Sequence, residues 1–79
     1  MSLLERYFKT VMALTLIFVP DTIYNREDIL ASVLYESGID IFSKGFYIKK
    51  LCEGVYEINI PNEPKNWKDI LKQYGEVKS

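Results

Sequence analysis

Residues 11–19 read VMALTLIFV and run directly into Pro20. Nine uncharged positions rich in β-branched residues form the pattern of a strand covered on both faces. Pro20 ends it, because proline has no amide to donate to a ladder. The competing reading carries a helix from the first ten residues on through Phe18, since a short apolar run fits either period. The fold class turns on this choice. As a strand the segment belongs to an α+β sheet, and as a helix it belongs to a bundle with a wing, that is, a winged helix-turn-helix.

Working outward, Ser2 and Glu5 form an S-x-x-E capping box, and Leu3, Leu4, Tyr7, Phe8 and Val11 repeat at helical spacing, which predicts a helix over 3–10. After Pro20, Asn25 is placed to cap a helix over 26–37, with Asp28 in its first turn and Tyr24 set to pack on Ile29. Ile29, Leu30, Val33 and Leu34 form the stripe to be buried. Gly38 ends the helix, with Ile39 placed for the apolar contact of that termination.

The stretch FYIKKLCEGVYEINI, residues 46–60, folds about Glu53-Gly54 as a hairpin. This register pairs Cys52 with Val55, Leu51 with Tyr56 and Lys50 with Glu57, and puts Tyr47, Leu51, Tyr56, Ile58 and Ile60 on the core face with Lys49. A third helix over 43–53 is the competing reading, but Gly45, Phe46 and Tyr47 suit its first turn poorly. Asn62 or Asn66 caps a last helix that Gly75 closes, with Trp67, Ile70, Leu71 and Tyr74 as its stripe and Lys65, Lys68 and Lys72 opposite.

The expected order is α-β-α-β-β-α in one small domain, 1–79, with helices packed on a three-stranded antiparallel sheet. It resembles the split βαβ arrangement of ferredoxin-like folds, in topology alone and incomplete, because Glu76-Val77-Lys78 is too short for a fourth strand. The 11–19 strand is then left with one open flank. An apolar edge of that kind needs covering, by the first helix, a second copy or a partner strand.

The chain has 79 residues, 48% of them hydrophobic, and no histidine, which removes the commonest general base and metal ligand. Size scaling puts burial on folding at about 60% of the chain surface, enough for an independent fold but a narrow one. The single cysteine, Cys52, forms no internal disulfide and suits a reducing, cytoplasmic setting. The uncharged run is about half of a membrane span, and its flanks are wrong for a secretory signal.

Net charge is −1 but unevenly spread. Between 20 and 42, five acids, Asp21, Glu27, Asp28, Glu36 and Asp40, stand against Arg26 alone, so the rest of the chain is +3. Glu27, Asp28 and Glu36 are expected to present an acidic face to a basic partner.

No catalytic, cofactor-binding or metal-binding constellation emerges. Cys52 beside Lys49, Lys50 and Glu53 reads as a small hydrophobe on a hairpin. Glu27 and Asp28 suit the exposed amides of a helix first turn and diverge by about 100° rather than converging on a metal. The isolated glycines make no phosphate loop.

The expectation is therefore a non-catalytic, cofactor-free interaction or regulatory module, a homodimer through the edge strand positions Val11, Ala13, Thr15, Ile17 and Val19. Size and composition also suit an accessory factor of a phage or other mobile element. The alternative is a winged-helix-like nucleic-acid binder that uses Lys44, Lys49, Lys50, Lys65, Lys68 and Lys72 among the aromatics. Against it, the chain is acidic overall, and a lysine stripe opposite an apolar one is usually just solvated.

Overall fold

The computed structural model describes residues 14–61 and 64–78. The helix expected over 3–10, with Val11 and Ala13 of the strand, lies outside the described residues. Strand β1 is Leu14–Pro20, helix α1 Glu27–Glu36, strand β2 Tyr47–Cys52, strand β3 Val55–Ile60, helix α2 Trp67–Lys72 and strand β4 Gly75–Val77, with a short 3-10 turn at Thr22–Tyr24. The four strands form one antiparallel sheet in the order β2-β3-β1-β4. Over its described residues, from Leu14 on, the greasy stretch is a strand, and both the continuous N-terminal helix through Phe18 and the winged helix-turn-helix are overturned.

The expectation of three strands needs correction. Three residues suffice for β4 because its neighbour is the end of β1: Phe18 pairs with Val77, Val19 with Glu76 and Pro20 with Gly75. Asp21 N donates to Tyr74 O at 2.8 Å and Lys78 N to Ile17 O at 2.8 Å, extending the seam at both ends. The described elements thus follow the β-α-β-β-α-β order of the split βαβ arrangement, with the fourth strand present. β1 is consequently an inner strand, paired with β3 from Leu14↔Ile60 to Phe18↔Tyr56 and with β4 on its other side. Ile17 and Val19 are therefore covered on the β4 side, whereas Thr15 lies beyond the last β4 pair.

Alternation along β1 turns Leu16 and Phe18 to the helices and Thr15, Ile17 and Val19 to the opposite face. From β3, Tyr56, Ile58 and Ile60 join Leu16 and Phe18, and Leu30 and Leu34 of α1, Ile39, and Ile70 and Leu71 of α2 close over them. Both helices therefore cover one face of the sheet. Of the stripe expected on α1, Leu30 and Leu34 are fully buried while Ile29 and Val33 are half-buried.

The hairpin forms, but its register departs from expectation after one pair. Cys52 opposes Val55 as expected, then an irregularity at Leu51 shifts the ladder, so Lys50 faces Tyr56, Lys49 faces Glu57 and Ile48 faces Ile58. One extra residue in a strand inverts every following side chain. Tyr47 and Leu51 therefore leave the core face and stand exposed, and Ile48 packs inward in their place.

Helix α1 ends as expected: Ile39 N donates to Leu34 O at 3.0 Å and Gly38 N to Tyr35 O at 3.1 Å, with Gly38 at φ 101°, a left-handed termination that glycine adopts without strain. Its start differs. Arg26, not Asn25, is the capping position, and Asn25 instead ties the helix entry to the hairpin, accepting from Tyr56 Oη at 3.1 Å and donating to Glu53 Oε1 at 3.3 Å. Satisfying the hydroxyl of buried Tyr56 is a better use of that amide than an exposed cap.

Candidate functional site

Large apolar side chains held out of the core are the most distinctive surface feature. They begin where α1 stops. Ile39, 1% exposed, anchors the chain after the Gly38 termination. Asp40 Oδ1 then accepts Phe42 N at 3.0 Å, Asp40 O accepts Ser43 Oγ at 3.1 Å, and Phe46 N donates to Ser43 O at 3.1 Å. These consecutive turns, with Ile41 and Phe46 leaning on the core, leave Phe42 pointing outward and 80% exposed. Its ring meets that of Tyr35, 53% exposed, edge to face with centroids 5.6 Å apart. Edge-to-face pairs are worth about 0.5–1.5 kcal/mol beyond the area they bury, which favours this arrangement of the two rings. Glu36 follows Tyr35 in the chain and Asp40 bonds the Phe42 amide, with Lys44 two residues beyond Phe42.

A second feature lies by the opposite edge of the sheet. Trp67, Lys68, Lys72, Gly75, Glu76 and Val77 line an open groove of about 300 Å³ with largely apolar walls, between α2 and β4. Lys68 Nζ lies 5.5 Å from the centre of the Trp67 ring, within cation–π range. Glu76 is ion-paired to Lys78 at 3.2 Å.

On the sheet face away from the helices, Tyr47 Oη donates to Glu57 Oε2 at 2.7 Å and Thr15 Oγ1 to Asn59 Oδ1 at 2.7 Å, while Asn59 Nδ2 donates to Gly45 O at 2.7 Å. The bond to the Glu57 carboxylate holds the Tyr47 phenol above its ordinary pKa, since ionising it would lose the donor and place two negative charges together. At the hairpin turn Lys50 Nζ bonds Glu53 Oε2 at 2.8 Å, which raises the lysine pKa and lowers that of the carboxyl.

The structure distributes the residues singled out from sequence differently from the grouping expected. Glu27 and Asp28 occupy the first turn of α1 and Glu36 its last. Glu27 and Glu36 are about 13 Å apart along the axis and half a revolution around it, so the three acids form no single face. Glu36 belongs with Asp40 beside the aromatic pair.

The lysines divide as well. Lys49 and Lys50 lie on β2, one edge of the sheet, with Lys44 in the loop before it. Lys65, Lys68 and Lys72 lie on or just before α2, by the opposite edge. The strand order thus sends Lys49 and Lys50 to one edge and Lys68 and Lys72 to the other.

Tyr35 and Phe42 are not singled out by the sequence, because composition shows a surplus of aromatics without showing which of them stay outside the core. The signal was the run Asp40-Ile-Phe-Ser-Lys-Gly45, whose Asp and Ser favour side-chain-bonded turns that leave one apolar residue outward.

Comparison with family models, curated proteins and solved structures finds no match. The chemistry of these surfaces is what remains to carry a functional reading. Among the described residues no three His, Cys, Asp or Glu side chains gather as metal ligands, and no helix is long and apolar enough to cross a membrane.

Proposed function

We propose that this chain is a non-catalytic module that acts by binding protein, with the Tyr35–Phe42 pair as its principal anchor. The observation that carries the reading is Phe42 itself. An aromatic ring at 80% exposure forgoes the burial that aromatics normally supply, while the Asp40 turn fixes the backbone beneath it and Tyr35 meets its edge. Aromatic side chains are the usual centres of protein interfaces, and the acidic residues near this one in the chain suit a partner with basic groups at matching places. Ile23, 72% exposed, adds a further apolar contact point on the connection from β1 to α1.

The strand-addition route is the weaker one. Among the described residues, β1 is occupied on both sides from Ile17 to Pro20, β4 has only three residues, and the outer edge of β2 carries Lys49, Lys50 and the Leu51 irregularity, all of which discourage edge pairing.

Capture from native cells with the full chain and with Phe42→Ser tests the reading. The substitution lies on the surface and leaves the core intact. Loss of specifically captured proteins from the variant, with an unchanged circular dichroism spectrum, supports it, and identical captures by both proteins refute it.

A further inference from the structure

We propose that the chain self-associates head to tail, with Phe42 and its acidic neighbours of one copy seated in the groove between α2 and β4 of the next, against Lys68 and Lys72. This deepens the reading above by naming the partner, and it rests on that reading.

Two complementary surfaces are present on one molecule. One is a knob, an exposed ring that meets Tyr35 edge to face, with Asp40 bonded to its backbone amide and Glu36 next to Tyr35 in the chain. The other is a recess of about 300 Å³, with apolar walls from Trp67 and Val77 and lysines at its margin. That volume is at the low end for ligand pockets and is open enough for a single side chain. Charge is arranged the same way: carboxylates beside the knob and ammonium groups beside the recess. The two exceptions, Lys44 on the first and Glu76 on the second, are of reversed sign to each other, and Glu76 is already paired with Lys78.

The two surfaces are also positioned for contact between copies rather than within one. α1, which ends at the knob, packs along β2, while α2 packs along β4, and β2 and β4 are the two outer strands of the sheet. A contact between unlike surfaces leaves a free knob at one end and a free groove at the other, so growth continues unless the rotation closes a ring.

Sedimentation and light scattering from micromolar to millimolar concentration test this, using the full chain, Phe42→Ser as a knob-deficient variant and the double variant Lys68→Glu, Lys72→Glu as a groove-deficient one. The expected result is a mass that climbs past two copies for the full chain and stays at one copy for each variant. An equal mixture of the two variants should form pairs and stop there, because one intact knob and one intact groove remain.

A full chain that is monomeric at millimolar concentration overturns the proposal, as do variants that assemble like the parent or a mixture that stays monomeric. A two-fold interface, in which each copy gives its knob to the other's groove, stops at two copies for the full chain and is thereby distinguished. If the full chain is monomeric while Phe42→Ser still loses a captured cellular protein, self-association fails and the binding reading above stands.

Discussion

At Gly75 one methyl group decides whether β4 can lie against β1. A Cβ there would run into Val19 O, come within 2.6 Å of Pro20 Cα and within 2.9 Å of Phe18 Cζ, two of the three being backbone that cannot swing away. Gly75→Ala should therefore destabilise the fold by about 1–3 kcal/mol, the usual cost of overpacking, read as a lower urea midpoint; an unchanged midpoint would mean that β4 is not docked in solution. Sequence reading assigned this glycine to the end of a helix, a role it shares in composition with Gly38, and only the strand pairing separates the two.

Glu53 gives the pH-sensitive test at the same scale. Its carboxyl is held below the ordinary range chiefly by the Lys50 hydrogen bond, then by Lys50 charge and the Asn25 amide. A depressed folded pKa contributes stability that is present above the unfolded value and is lost as pH falls through the folded one. The Glu53 titration followed by NMR should therefore have its midpoint below that of an unpaired glutamate, and Lys50→Met should move it upward. A midpoint that ignores Lys50 would show that the ion pair does not persist in water.

Among the elements, β1 carries the sheet, and its reading from VMALTLIFV is the part of the fold most legible in the sequence. Its position was not legible. A strand covered on both flanks and one with an open flank share a composition, and the difference rests on three residues, Gly75–Val77, too few to show a period. The hairpin fared similarly: the turn at Glu53-Gly54 was visible, but the irregularity at Leu51 leaves no mark in a pattern of alternating residues.

The register makes a directional prediction. Lys78 N donates to Ile17 O, so the polar groups of Ile17 face β4, and alternation along the strand turns those of Leu16 toward β3 and those of Thr15 to the β4 side, beyond the last β4 pair. Leu16→Pro should abolish folding, by removing an amide from the central ladder together with a buried side chain. Thr15→Pro should be the milder change, losing the hydroxyl bond to Asn59 but no amide aimed at β3. Thermal unfolding of the two proteins compares them directly, and equal damage would contradict the register.

For the molecule as a whole, the division of charge was legible before any fold was known, as a segment of −4 in a chain of −1. Which charges meet was not, because that depends on the strand order that sends β2 and β4 to opposite sides. Once they are there, Glu36 and Asp40 attend the exposed aromatic pair and Lys68 and Lys72 attend the apolar groove. Salt therefore discriminates between ways the chain could associate. Raising it from about 0.01 M to about 1 M shortens the screening length from about 30 Å to about 3 Å, enough to silence exposed charges a few bonds apart. A contact with an apolar centre and opposite charges around it should weaken over that range without vanishing, so the mean mass at fixed concentration should fall toward a plateau above one copy, while Phe42→Ser stays at one copy throughout. Apolar association without charge pairing responds the other way, because exclusion of strongly hydrated salts from protein surface favours burial. A mass that rises with salt would thus remove the acidic and basic residues from the interface, even if Phe42 remained at its centre.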